Sequence, residues 1–214
     1  MLRSTRRGLQ WLLIATAILA SPLAVAGPRA DFRQEQPSAQ ARHVADWVLD
    51  ASDHAGGPFV IVDKLQSRVY VFDGQGQLAG TAPALLGLAL GDESVPGIGA
   101  RPMASILPAE RTTPAGRFAA SLDRSLKGDE ILWVDYETAI ALHAVATGVS
   151  RERRLERMAS LIVSERRITF GCINVPAAFF KNVVAPLFRG GAGVVYVMPE
   201  TGSASAVFGS YELP

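Results

Sequence analysis

The sequence predicts one mainly β domain with a few short helices. Apolar residues make up 49% of the 214 positions, enough at this length for one sizeable core. Most of them fall in short runs rich in Val, Ile, Phe and Tyr, bounded by Gly, Asp or Pro, as half-buried strands require. Helical periodicity appears in only three places, near residues 44–51, 149–163 and 176–187.

Residues 1–26 have Arg3, Arg6 and Arg7, an apolar run from Trp11 to Ala20, and a small-residue Ala24-Val25-Ala26 end. That is the three-part plan of a cleavable export signal, with a cut expected after Ala26. The apolar run is interrupted by Ser21-Pro22 and is short for a membrane span. General export is expected, although Arg6-Arg7 also suits the twin-arginine route. No cysteine directly follows the cut, which argues against lipid attachment there. A periplasmic or cell-envelope location follows.

The chain has 21 basic and 20 acidic residues, and removing 1–26 removes three arginines and no acid. A basic excess of the kind that binds phosphate is missing, so nucleic acid is not an expected partner. Residues 27–42 are polar, contain proline and lack periodicity, and read as a linker. Val44, Trp47, Val48 and Ala51 then put an apolar stripe on a short helix flanked by His43 and His54, both expected to face solvent rather than a metal.

FVIVD (59–63), RVYVF (68–72) and QLAG (77–80) read as strands, the last two joined through the turn signal DGQG. After the apolar run 84–92, the Gly/Pro-rich stretch 93–115 reads as a surface or active-site loop. GRFAASL (116–122), EILWVDY (130–136) and TAIALHAV (138–145) resume the strand pattern. VSRERRLERMASLIV (149–163) places Leu155, Met158, Ala159 and Ile162 on one helix face, with its arginines on a solvated face. Pro176 suits the first turn of a helix in which Phe179, Val183 and Leu187 share a side, and GVVYVMP (193–199) ends the domain with a strand. Residues 201–214 read as a tail that packs little.

Cys172 is the single cysteine, set in RITFGCINV. In an oxidising compartment such a residue is a buried small hydrophobe, a reactive thiol or half of an intermolecular disulfide. A reactive thiol needs its pKa lowered by a base or a helix N-terminus, and Pro176 predicts such a helix start four residues on. Gly171 lets the backbone turn tightly and bring its N–H toward a substrate oxygen, as an oxyanion hole requires. His143, in an otherwise apolar strand, is the candidate base, against the reading of a core imidazole bonded to backbone.

The order His143 … Thr169-Phe170-Gly171-Cys172-Ile173-Asn174 resembles the L,D-transpeptidase catalytic-domain family, whose signature is a strand histidine followed by Ser/Thr-His-Gly-Cys-x-Asn/Arg. FVIVDKLQSRVYVFDGQGQL, TPAGRF (113–118) and GVVYVMPE add to the likeness, which runs from about Pro58 to Glu200. Phe170 stands where the signature often has a second histidine, and Ala144 follows His143 where the family commonly has glycine. The resemblance implies a β-sandwich with a mixed sheet over 43–200, acting as a monomer on peptidoglycan stem peptides without metal or cofactor. It implies that Cys172 attacks the peptide carbonyl to give a thioester and that His143 serves as base. N–H groups of Gly171 and Cys172 would hold the oxyanion, and Thr169, Phe170 and Asn174 would shape the loop and contact substrate. Water in place of the acceptor amine would make the same machinery a carboxypeptidase or hydrolase. Loss of turnover would leave a wall-binding domain.

Overall fold

The computed structural model describes residues 27–213; the expected export signal lies outside them. Ten strands are present among these residues: β1 (Phe59–Asp63), β2 (Arg68–Phe72), β3 (Leu78–Pro83), β4 (Leu86–Gly87), β5 (Gly116–Arg124), β6 (Glu130–Asp135), β7 (Ile140–Ala144), β8 (Arg167–Thr169), β9 (Ile173–Val175) and β10 (Gly193–Val197). Eight form one sheet in the order β3-β2-β1-β10-β5-β6-β7-β9, and β4 pairs with β8 in a short ribbon. The large sheet is mixed: β1 and β10 run parallel, as do β7 and β9, and the other neighbours are antiparallel. The protein is mainly β with a large mixed sheet and few short helices, as the sequence predicts.

Alternation along β1 explains why the sheet has a core on each face. Val60 and Val62 join Val69, Leu132, Leu142, Ile173 and Val195 in one apolar cluster, while Phe59 and Ile61 join Tyr70, Phe72 and Tyr196 in another. Every residue of β1 is buried, so the strand reads as a continuous apolar run instead of an alternating one. The first core is closed by a helical run over 177–188, with Phe180, Val184 and Phe188 buried. Its middle turn, Phe180–Val184, is π-helical and directly precedes Ala185-Pro186; a proline lacks the N–H that a regular α-helix would use there.

The second core lies under helix α1 (Ala39–Asp50), whose Val44, Trp47 and Val48 are buried as the periodicity requires. Ser38 caps this helix by accepting from the Ala41 N–H at 3.1 Å, and its hydroxyl donates to Asp63 at 2.6 Å, tying the helix to the end of β1.

Both expected flanking segments are part of the domain. Within the expected linker, Phe32 is 2% exposed and meets Tyr70 and Phe72 edge-on, and Asp31 bridges to Gln77. Burying one such ring is worth about 1.5–3 kcal/mol, which outweighs the polar composition around it. The expected tail contains a helix, Ala204–Phe208, and Phe208 stacks on Trp47 at 6.4 Å between ring centres. His54 is likewise buried, its ring nitrogens 3.3 Å and 3.1 Å from the carbonyls of Val48 and Gly74. In each case one aromatic or polar contact made by tertiary packing overrides local composition. The helix expected at 149–163 is shorter, with α2 at Arg154–Ala159 between single 3-10 turns, and Leu155 and Ile162 are exposed.

Candidate active site

β7 and β9 lie side by side with His143 opposite Asn174 and Leu142 opposite Ile173. Alternation sends Leu142 and Ile173 into the core and leaves His143 and Asn174 together on the other face. Cys172 is the residue before β9, so the parallel pairing brings it close to His143 although 28 residues separate them in the chain. Both side chains line one cavity of about 730 Å³, shared with Trp133, Val145, Phe180 and Lys181.

The turn that presents the thiol is built from small hydrogen bonds. Thr169 Oγ1 donates to the Cys172 carbonyl at 2.7 Å and accepts from the Gly171 N–H at 3.1 Å. Thr113 Oγ1 donates to the Gly171 carbonyl at 2.8 Å and accepts from the Gly87 N–H at 2.8 Å. Gly171 has φ +132°, and a Cβ there would stand 2.8 Å from the Thr112 carbonyl oxygen, so glycine is required on both counts.

The Gly171 N–H, one of the two donors that the sequence reading assigned to an oxyanion, is thus bonded to Thr169 in this structure. Thr169 and Asn174 are 2% and 1% exposed, with their polar atoms bonded within the protein. Their hydrogen bonds hold the turn and the strand around Cys172 together. Phe170 does line a cavity: it borders a second, smaller space of about 150 Å³ on the other side of Cys172, with Ile98, Arg101 and Thr112. The Arg111 guanidinium stacks 3.8 Å over its ring centre. The long loop 93–115 supplies much of this wall, including Ile98, Arg101 and Thr112.

His143 Nδ1 lies 2.8 Å from the Ala144 carbonyl oxygen and must carry a proton to bond it, so Nε2 is left as an acceptor. Asn174 Nδ2 donates to that Nε2 at 3.0 Å. Arg154, from α2, donates to Asn174 Oδ1 at 2.8 Å and pairs with Glu152 at 2.6 Å. Sequence reasoning placed this arginine on a solvated helix face; its side chain is only 16% exposed. No one-dimensional signal marks it, because its partner lies 20 residues away on a different element.

Burial pushes the imidazole of His143 below its ordinary pKa, against the raising effect of its bond to Ala144, and the Arg154 charge lowers it further. Burial also pushes the Cys172 thiol up, while the N–H groups of Ala141 and Cys172 and the Arg154 charge act in the opposite sense. The thiol faces the Ala139 carbonyl at 3.8 Å, and Ala139 sits at φ +58°. The expected help from a helix N-terminus is missing, because β9 intervenes and the helix begins only at Ala177. Burial thus favours the neutral form of both groups.

No protein-family model and no curated protein matches the chain. Solved structures do match, among them the LD transpeptidase LdtMt1 in complex with imipenem, at 17% identity and a TM-score of 0.38. That alignment covers 66% of this chain and 59% of the other, so this chain spans under two thirds of that protein's length.

Proposed function

We propose that this protein is an exported acyltransferase of the L,D-transpeptidase kind, working in the periplasm or cell envelope on peptidoglycan stem peptides. The observation that carries the proposal is the shared cavity: Cys172 and His143 open into one space of about 730 Å³, and the imidazole is held with Nε2 unprotonated, the form a general base needs.

In this reading Asn174 gives up its hydrogen bond to His143 Nε2, Cys172 passes its proton to that nitrogen and attacks the carbonyl of the stem-peptide bond. The tetrahedral oxyanion meets the Cys172 N–H, the imidazolium protonates the departing amine, and a thioester remains. His143 then takes the proton of an incoming amine as it attacks the thioester and frees the thiol. With water as the attacking group the same cycle is a carboxypeptidase, and product analysis with and without an amine acceptor separates the two.

The test is intact-protein mass spectrometry after incubation with a disaccharide-tetrapeptide and, separately, with a carbapenem. An acyl adduct that maps to Cys172 and is lost in Cys172→Ser supports the proposal. A folded protein that takes neither acyl group refutes it in favour of the wall-binding reading.

A further inference from the structure

We propose that Arg154 is a positioning residue: it fixes the amide of Asn174 and, through that amide, keeps Nε2 of His143 as a bare acceptor. An asparagine amide has one accepting and one donating end, and the two are interchangeable by rotation. Arg154 has only donors, so the end of Asn174 that faces it at 2.8 Å must be Oδ1. The donating end is thereby turned on His143 Nε2 at 3.0 Å, and a proton on Nε2 would put two donors face to face. The remaining nitrogen, Nδ1, carries the proton and bonds the Ala144 carbonyl at 2.8 Å. Three hydrogen bonds in series thus carry one tautomer from a helix outside the sheet to the base of the site.

The charge of Arg154 works in the same direction. It lowers the imidazole's affinity for a proton and favours the thiolate of Cys172, so one cation adjusts both members of the pair. Glu152 moderates it as an ion-pair partner at 2.6 Å. Other charges bear on the same space: Asp129 raises the imidazole, and Lys127, Glu130 and Lys181 line the cavity. Arg154 is the one that also holds the amide. The catalytic meaning of this arrangement rests on the acyl-transfer reading above, whereas the tautomer does not.

The experiment is nitrogen NMR of the imidazoles in the full-length protein, with three histidines to assign and His143→Ala as the assignment control. Wild type is expected to show His143 protonated at Nδ1 and bare at Nε2 near neutral pH. In Arg154→Met the amide is free to turn, so an Nε2-protonated population appears and imidazole protonation moves to higher pH. Alkylation of Cys172 at neutral pH then slows on the order of tenfold, the change in thiolate fraction that one unit of thiol pKa represents. Arg154→Lys, which keeps the charge and a donor, restores the wild-type tautomer. Glu152→Gln removes the moderating carboxylate and moves imidazole protonation to lower pH.

A folded Arg154→Met with the wild-type tautomer and titration overturns the proposal. Should that variant fail to fold, an unchanged His143 titration in Glu152→Gln overturns it instead. The two readings fail separately. Expected tautomer shifts without any acyl adduct remove acyl transfer alone, and a normal adduct with an unmoved tautomer removes the role of Arg154 alone.

Discussion

The surroundings of Lys64 and of His143 are two buried basic environments in one sheet protein, and they treat charge in opposite ways. Lys64 is fully buried and fully paired. Its ammonium donates to the carbonyls of Gly91 and Thr113 at 2.7 and 3.0 Å and to Asp92 at 2.8 Å, with Glu200 at 3.6 Å. Glu200 also holds the Arg167 guanidinium and accepts from the Gly91 N–H at 2.9 Å. Every charge in this knot has an opposite charge against it, which offsets the cost of its burial. His143 has no carboxylate partner among the described residues, and burial favours its neutral form. The difference teaches that opposite charges in full pairing make a clasp, whereas an imidazole hydrogen-bonded only to neutral groups is steered by burial toward its neutral form.

The clasp joins parts far apart in sequence: the end of β1, the start of the loop 93–115, β8 and the segment after β10. It also reaches the site. Lys64 holds the Thr113 carbonyl, and the Thr113 hydroxyl holds the Gly171 carbonyl beside Cys172.

The largest effect expected from breaking this contrast is in the proposed chemistry. His143→Ala should slow acylation of Cys172 by roughly 10²–10⁴-fold, the usual range for a general base. Single-turnover acylation checks this, and a change within twofold removes His143 from the mechanism.

Next is the clasp. Asp92→Asn leaves Lys64 buried with one carboxylate fewer and should cost about 3–5 kcal/mol at neutral pH by denaturant unfolding. Burial alone would raise the Asp92 carboxyl, but the Lys64 ammonium, the Thr201 hydroxyl and the N–H groups of Glu200 and Thr201 outweigh it and hold the pKa well below the usual carboxylate range. A depressed folded pKa gives stability that is complete above the unfolded value of about 3.9 and is lost as pH falls toward the folded value. The gap between wild type and Asp92→Asn should therefore narrow below about pH 4. A gap that stays constant with pH would mean Asp92 acts through packing.

Thr113→Val tests the link between the two regions. It removes a buried hydroxyl that bonds both Gly87 and Gly171, with an expected cost of about 1–3 kcal/mol for the unsatisfied N–H. If the clasp positions the nucleophile, acylation should fall beyond what the unfolded fraction explains; equal losses would make the link purely structural.

The smallest expected effect is in the pH dependence of stability at His143. Its folded pKa is depressed by burial, so its contribution is complete above the unfolded value of about 6.5 and is lost as pH falls toward the folded one. His143→Gln should remove that acid-side loss, a change of a few tenths to about 1 kcal/mol. Melting temperatures between pH 7 and pH 5 would reveal it, and parallel curves for the two proteins would exclude it.

Much of this was legible one-dimensionally because local physics determines it. Runs of β-branched and aromatic residues became β1, β2, β6, β7 and β10 close to their expected limits, and the stripe Val44, Trp47, Val48 became the buried face of α1. The positive φ at Gly171 is of the same kind, since a turn is a local demand, although its close approach to Thr112 is a tertiary one. Cys172 and His143 stood out by scarcity and context. Tertiary structure alone decided the rest. Parallel pairing of β7 with β9 set His143 against Asn174, the cover of α2 turned Arg154 from a solvated residue into the anchor of that amide, and Phe32 and Phe208 drew polar flanks into the core. The physical reason is common to all three: a hydrogen bond or buried ring between distant segments leaves no period in the sequence, because its energy depends on where folding brings the second partner.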